Sequence, residues 1–216
     1  MKQLLLAGAA LFGLAAQAQA GVITAAVTDD GVAVPIVCVG GVNSPLTCTG
    51  ASTHFSSITV GALGEPDLPG ADLSSVTIDA SSRVNFIGDH VLGINVLQSG
   101  LNFTTDGNAS STLTVNNLVG GPFGPSTLST AVNGSTLASY TFPATTTNDT
   151  RLFTNAVPAV ITSDAHAYLV TFTDPSQSIT DTIQLVVGAV HVPEPTSLAV
   201  LGTGLIGLGM IRRKRT

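Results

Sequence analysis

The chain has 216 residues, 44% of them hydrophobic, and a formal net charge of −6 from seven Lys and Arg against thirteen Asp and Glu. All thirteen acids lie between Asp29 and Glu194, where Arg83 and Arg151 supply two positive charges; that stretch carries a net −11 and excludes nucleic acid as a partner. It also contains no lysine, which removes Schiff-base and Ser-Lys chemistry.

The N-terminus reads as an export leader. Lys2 is a positive n-region, residues 4–16 an apolar h-region, and Ala18-Gln19-Ala20 a small-residue cleavage site, so cleavage is expected after Ala20. A separate segment begins at Val192, leaving 21–191 as the exported part. That is about the length of one domain.

From residue 21 onward, β-branched residues alternate with polar ones and are interrupted by Gly, Asn, Asp and Pro, the pattern of short antiparallel strands. Strands are expected at 22–28, 55–60, 76–80, 91–98, 112–115, 137–142, 167–173 and 179–190, the last with Ile179, Ile183 and Leu185 partly on one face. Asp29-Asp30-Gly31 follows the first strand. Like Asp106-Gly107-Asn108, it offers oxygen ligands of the kind a hard cation takes, yet turn formation accounts for both. Neither a metal nor another cofactor is expected.

Cys38 and Cys48 enclose nine residues that include Gly40-Gly41 and Pro45. Export places them in an oxidising compartment, so a disulfide is expected, contributing about 2–3 kcal/mol. The spacing is too wide for C-x-x-C chemistry, and no histidine follows at a zinc-ligand interval. Thr105-Asp106-Gly107-Asn108 and Val132-Asn133-Gly134-Ser135 carry the D-G and N-G pairs of hairpin turns. The longest loops are expected at 61–71 and 120–125. No helical periodicity lies outside the two terminal segments, and the fold class is all-β: an antiparallel sandwich, jelly-roll or immunoglobulin-like.

Signs of catalysis are sparse. His54, His90, His166 and His191 form no H-x-H or H-x-x-x-H pair. Asp89-His90 and Asp164-Ala165-His166 set a carboxylate near an imidazole, as a general base requires, but no G-x-S-x-G elbow accompanies them. There is no Walker A loop and no H-E-x-x-H. No catalytic residue is assigned. An aromatic platform for sugars is also lacking, with no Trp and just Tyr140 and Tyr168.

The C-terminus is the most legible part. Val192-Pro193-Glu194-Pro195 leads into the uncharged run 196–211, which stops at Arg212-Arg213-Lys214-Arg215. Each proline fixes its own φ and pushes the residue before it out of the α region, so the entry is extended and cannot join a following helix. A transmembrane helix is expected over 196–211; at about 24 Å it is short against a hydrocarbon core of about 30 Å, a mismatch that snorkelling arginines and local thinning of the bilayer accommodate. Gly202, Gly204, Gly207 and Gly209 keep one side of it thin. The basic cluster holds its end in the cytoplasm, which leaves the bulk of the chain outside.

This arrangement resembles the PEP-CTERM sorting signal of Gram-negative bacteria, over 192–215 alone. The resemblance implies a substrate of an exosortase, a membrane-embedded cysteine transpeptidase that processes the tail at the cell surface, often alongside exopolysaccharide or biofilm-matrix production. Expected partners are therefore that enzyme, the bacterial membrane and, in one reading, exopolysaccharide. The expected course is transient anchoring in the inner membrane, then transfer to the surface or matrix. The leading expectation is a non-enzymatic structural or adhesive protein. A polysaccharide-binding module is the alternative, and a secreted hydrolase comes third.

Overall fold

Residues that alternate between inside and outside along the chain can bury only one face of each strand, so the strands must pair into sheets and the sheets must stack. The computed structural model describes residues 21–42, 44–64, 72–120 and 123–189. These form β1 (Val22–Asp29), β2 (Val32–Ala33), β3 (Ile36–Val39), β4 (Leu46–Gly50), β5 (Phe55–Gly64), β6 (Asp72–Ser82), β7 (His90–Val119), β8 (Ser126–Val132), β9 (Ser135–Phe142), β10 (Asn148–Ala156), β11 (Val160–Phe172) and β12 (Ser178–Ala189). Every pairing is antiparallel, and no helix occurs among the described residues.

Two sheets share one strand. The first runs β2-β1-β7-β11-β8-β9 and the second β3-β4-β5-β6-β12-β7-β10. The N-terminal half of β7 pairs with β1 and β11, whereas its C-terminal half pairs with β12 and β10. Between the sheets lies an apolar layer that includes Phe55, Ile58, Ile78, Leu92, Leu113, Phe142, Phe172 and Ile183. A smaller cluster of Leu101, Ala109, Val132, Ile161, Leu185 and Val187 fills the other end. The all-β antiparallel sandwich is as expected, and Ile179, Ile183 and Leu185 are all buried on one face of β12.

Several boundaries differ from the sequence reading. The hairpin expected at Thr105-Asp106-Gly107-Asn108 is absent: this segment lies inside β7, uniting the expected strands 91–98 and 112–115. Gly107 does take positive φ (90°), and its amide donates to Thr105 Oγ1, but the outcome is a bend at which the strand passes from one sheet to the other. The loop expected at 61–71 begins later, since β5 continues through Gly64; residues 65–71 lie outside the described residues. Strands β2, β3, β4, β8 and β10 were not anticipated. By contrast Asn133-Gly134 makes its hairpin, with φ of 49° and 77° at the two central residues, joining β8 to β9.

Candidate functional site

One end of the sandwich gathers two carboxylates and two imidazoles. Asp30 and Gly31 turn β1 into β2 with φ of 51° and 80°, which sets the Asp29 and Asp30 side chains next to each other. His54 precedes β5. It is held there because Arg83 donates its backbone N–H to the His54 carbonyl, while the Arg83 Nε donates to the Ser52 carbonyl. His90 opens β7, and the Asp30 amide donates to the carbonyl of the next residue, Val91. Three segments far apart in sequence thus meet.

Their contacts are close. His54 Nδ1 is 2.8 Å from Asp29 Oδ1 and 3.6 Å from Asp30 Oδ2, and His90 Nδ1 is 2.6 Å from Asp30 Oδ2. The backbone amides of His54 and Val91 donate to Asp29 Oδ2 and Asp30 Oδ1. The two imidazoles stack, with centroids 3.4 Å apart, and Phe86 sets its edge against His90 at 4.7 Å. Burial alone would lower the His90 pKa, but hydrogen bonds to Asp30 and the Ile87 carbonyl and the charges of Asp30 and Asp29 outweigh it and raise it. For Asp30 burial alone would act upward. Hydrogen bonds from His90 and the Val91 amide, with the His90 and His54 charges, bring its pKa down instead. His90 therefore engages Asp30 rather than its chain neighbour Asp89.

A second polar group lies deep between the sheets. Ser74 Oγ is 2.6 Å from both Asp164 Oδ2 and His166 Nε2, and His166 Nε2 is 3.0 Å from Asp164 Oδ2. These are the residue types of a nucleophilic triad. The geometry is not that of one, because a triad needs the carboxylate on one ring nitrogen and the hydroxyl on the other. Here both meet Nε2. All three residues are 1–2% exposed, so no substrate reaches them. With Ser111 and Thr130, whose hydroxyls are 2.8 Å apart, they form a polar belt inside the sandwich.

The remaining expected residues fall as follows. Cys38 and Cys48 are disulfide-bonded directly across β3 and β4. Tyr168 is buried, its hydroxyl donating to the Val76 carbonyl, and Tyr140 packs partly against the core with Arg151 over its ring. Neither offers a flat exposed face. Asp106 Oδ1 accepts from the Asn108 amide, a local turn bond. The cleavage residues Ala18 and Ala20, His191, the motif Val192, Pro193, Glu194 and Pro195, and the cluster Arg212, Arg213, Lys214 and Arg215 lie outside the described residues. The joining of His54 to Asp29 and of His90 to Asp30 was missed, and no sequence spacing signals it.

Residues 191–215 match the model of the PEP-CTERM protein-sorting motif. No curated protein matches the chain. Among solved structures, TmCBM61 in complex with beta-1,4-galactotriose is similar at 10% identity and a TM-score of 0.36, over 59% of this chain and 81% of that one. BiXyn10A CBM1 is similar at 11% identity and 0.31, over 74% and 95%. The CBM22-1 xylan-binding domain from Paenibacillus barcinonensis Xyn10C is similar at 11% and 0.27, over 65% and 90%. Similarity at this level assigns no ligand. The motif marks an exported protein with a membrane-anchored C-terminal sorting signal, the mark of an exosortase substrate.

Proposed function

We propose that the chain is a non-enzymatic protein of the cell surface or extracellular matrix, structural or adhesive in role, released from transient membrane anchoring when an exosortase processes its tail. The observation that carries this reading is the sorting motif at 191–215, which follows an acidic sandwich. The tail's parts have distinct tasks. By their chemistry, the basic cluster resists translocation and fixes orientation, the short uncharged run suits a bilayer, and the two prolines of Pro193-Glu194-Pro195 disfavour helix, which suits recognition by an enzyme that reads extended substrates.

The interior supports a role without catalysis. The one Ser-His-Asp grouping among the described residues is sealed between the sheets with both partners on a single ring nitrogen. Burial of Tyr168 also removes one of the chain's two tyrosines from any sugar-stacking face, and there is no Trp, which weighs against polysaccharide binding through an aromatic platform. Replacing Arg212 to Arg215 with neutral residues, in a host that has the sorting enzyme, should impair membrane retention and leave the precursor unprocessed on immunoblots. Unchanged maturation would overturn the reading.

A further inference from the structure

We propose that Asp29, Asp30, His54 and His90 bind one divalent transition-metal ion of the zinc class. Their ligand atoms all lie within 4.8 Å of one another. Zinc bonds of about 2.0–2.1 Å place tetrahedral ligands about 3.3 Å apart. The separations of 2.6, 2.8 and 3.6 Å already bracket that edge. Two carboxylates and two neutral imidazoles also balance a charge of +2. Imidazole nitrogen suits zinc and its neighbours, whereas calcium and magnesium take oxygen sets.

A second observation comes from the far side of the His90 ring. Its Nε2 is 3.1 Å from the Ile87 carbonyl. A carbonyl only accepts, so Nε2 carries the hydrogen, and in neutral His90 the Nδ1 lone pair then faces an Asp30 oxygen 2.6 Å away. Two acceptors at that distance require a cation between them, either a proton or a metal ion. Metal-bound histidines characteristically donate their other ring N–H to a carbonyl or carboxylate, which fixes the ring and the tautomer. His90 is held in that way.

Access and mobility fit as well. The side chains of Asp30 and His54 are 40% and 29% exposed, leaving a route for the ion, while Asp29 is buried beneath them. Bonding in the plane of both rings requires the stacked imidazoles to splay, and the more exposed His54 supplies the movement. Because Asp29 belongs to the first sheet and His54 precedes a strand of the second, the ion would tie the two sheets together at this end.

The test uses the full chain in detergent, stripped with a chelator and titrated with Zn(II) and separately with Ca(II). One Zn(II) per chain is expected, undisturbed by excess Ca(II), and Co(II) should give the intense visible bands of a four-coordinate site. His90→Gln should weaken Zn(II) binding at least about tenfold, the loss that follows removal of even an outer partner of a ligand. His191→Ala should leave it unchanged. If circular dichroism shows that His90→Gln does not fold, Asp30→Asn on the exposed side of the cluster takes its place, with the same expected loss. No stoichiometric uptake, equal competition by Ca(II), or uptake undiminished in a folded variant of the cluster would overturn the proposal.

Discussion

Asp181 stands in the apolar stripe of β12 between Ile179 and Ile183 and is fully buried. Burial raises its pKa to about 7, against an ordinary 3.8, and the hydrogen bond that its Oδ1 accepts from the Asn116 amide only partly opposes this. Between these values the folded protein holds a proton that the unfolded chain has released. Stability therefore falls as pH rises through that window and is level on either side of it. Asp181→Asn keeps an acceptor for Asn116 and cannot ionise. Urea unfolding at several pH values should show the variant gaining on the wild type by a few kcal/mol between about pH 4 and about pH 7; parallel profiles would refute the assignment. Individual residues were unevenly legible. Asp164 and His166, two apart, share a face as strand periodicity requires, so their pairing could be read along the chain. His90 and Asp30 could not be paired this way, being sixty residues apart and joined only by the turn of β1 against the start of β7.

Among the elements, the β8–β9 hairpin shows how a turn residue acquires a second task. Asn133 tolerates the left-handed conformation the turn needs, while its Oδ1 accepts the amides of Thr162 and Ser163 and its Nδ2 donates to the Val160 carbonyl. These bonds brace β11 where its register with β7 shifts between Ile161 and Ser163. Asn133→Gly keeps the turn and removes the brace, so a loss of about 1–3 kcal/mol is expected in equilibrium unfolding. Asn133→Ala should lose more, since alanine resists the positive φ. The same logic separates the two turn signals. Asn133-Gly134 had adjacent strands ready to pair with each other. Asp106-Gly107 lies between halves of β7 whose partners, β1, β10, β11 and β12, all come from elsewhere in the chain, so its glycine bends the strand without reversing it. Local chemistry specified the positive φ in both cases; distant pairing determined its result.

At the scale of the whole molecule, β7 makes separate melting of the sheets costly, because releasing either one frees half of a strand that the other needs. Thermal unfolding followed by far-ultraviolet circular dichroism and by tyrosine fluorescence should give coincident single transitions, and two resolved steps would contradict the shared-strand account. The sandwich class was readable from alternation and turn residues, whereas this sharing was not, since it depends on pairings across most of the chain. The path of β7 has one more effect. The chain enters at Val22, opposite Ser99, and the described residues end at Ala189, opposite Thr105, so both ends leave from near the middle of β7. His90 and its carboxylate neighbours lie nine residues from Ser99, about 30 Å at the rise of an extended strand. The histidine cluster therefore stands far along the strand from the point at which the described residues lead on toward the sorting motif at 191–215, so a change made at one need not disturb the other.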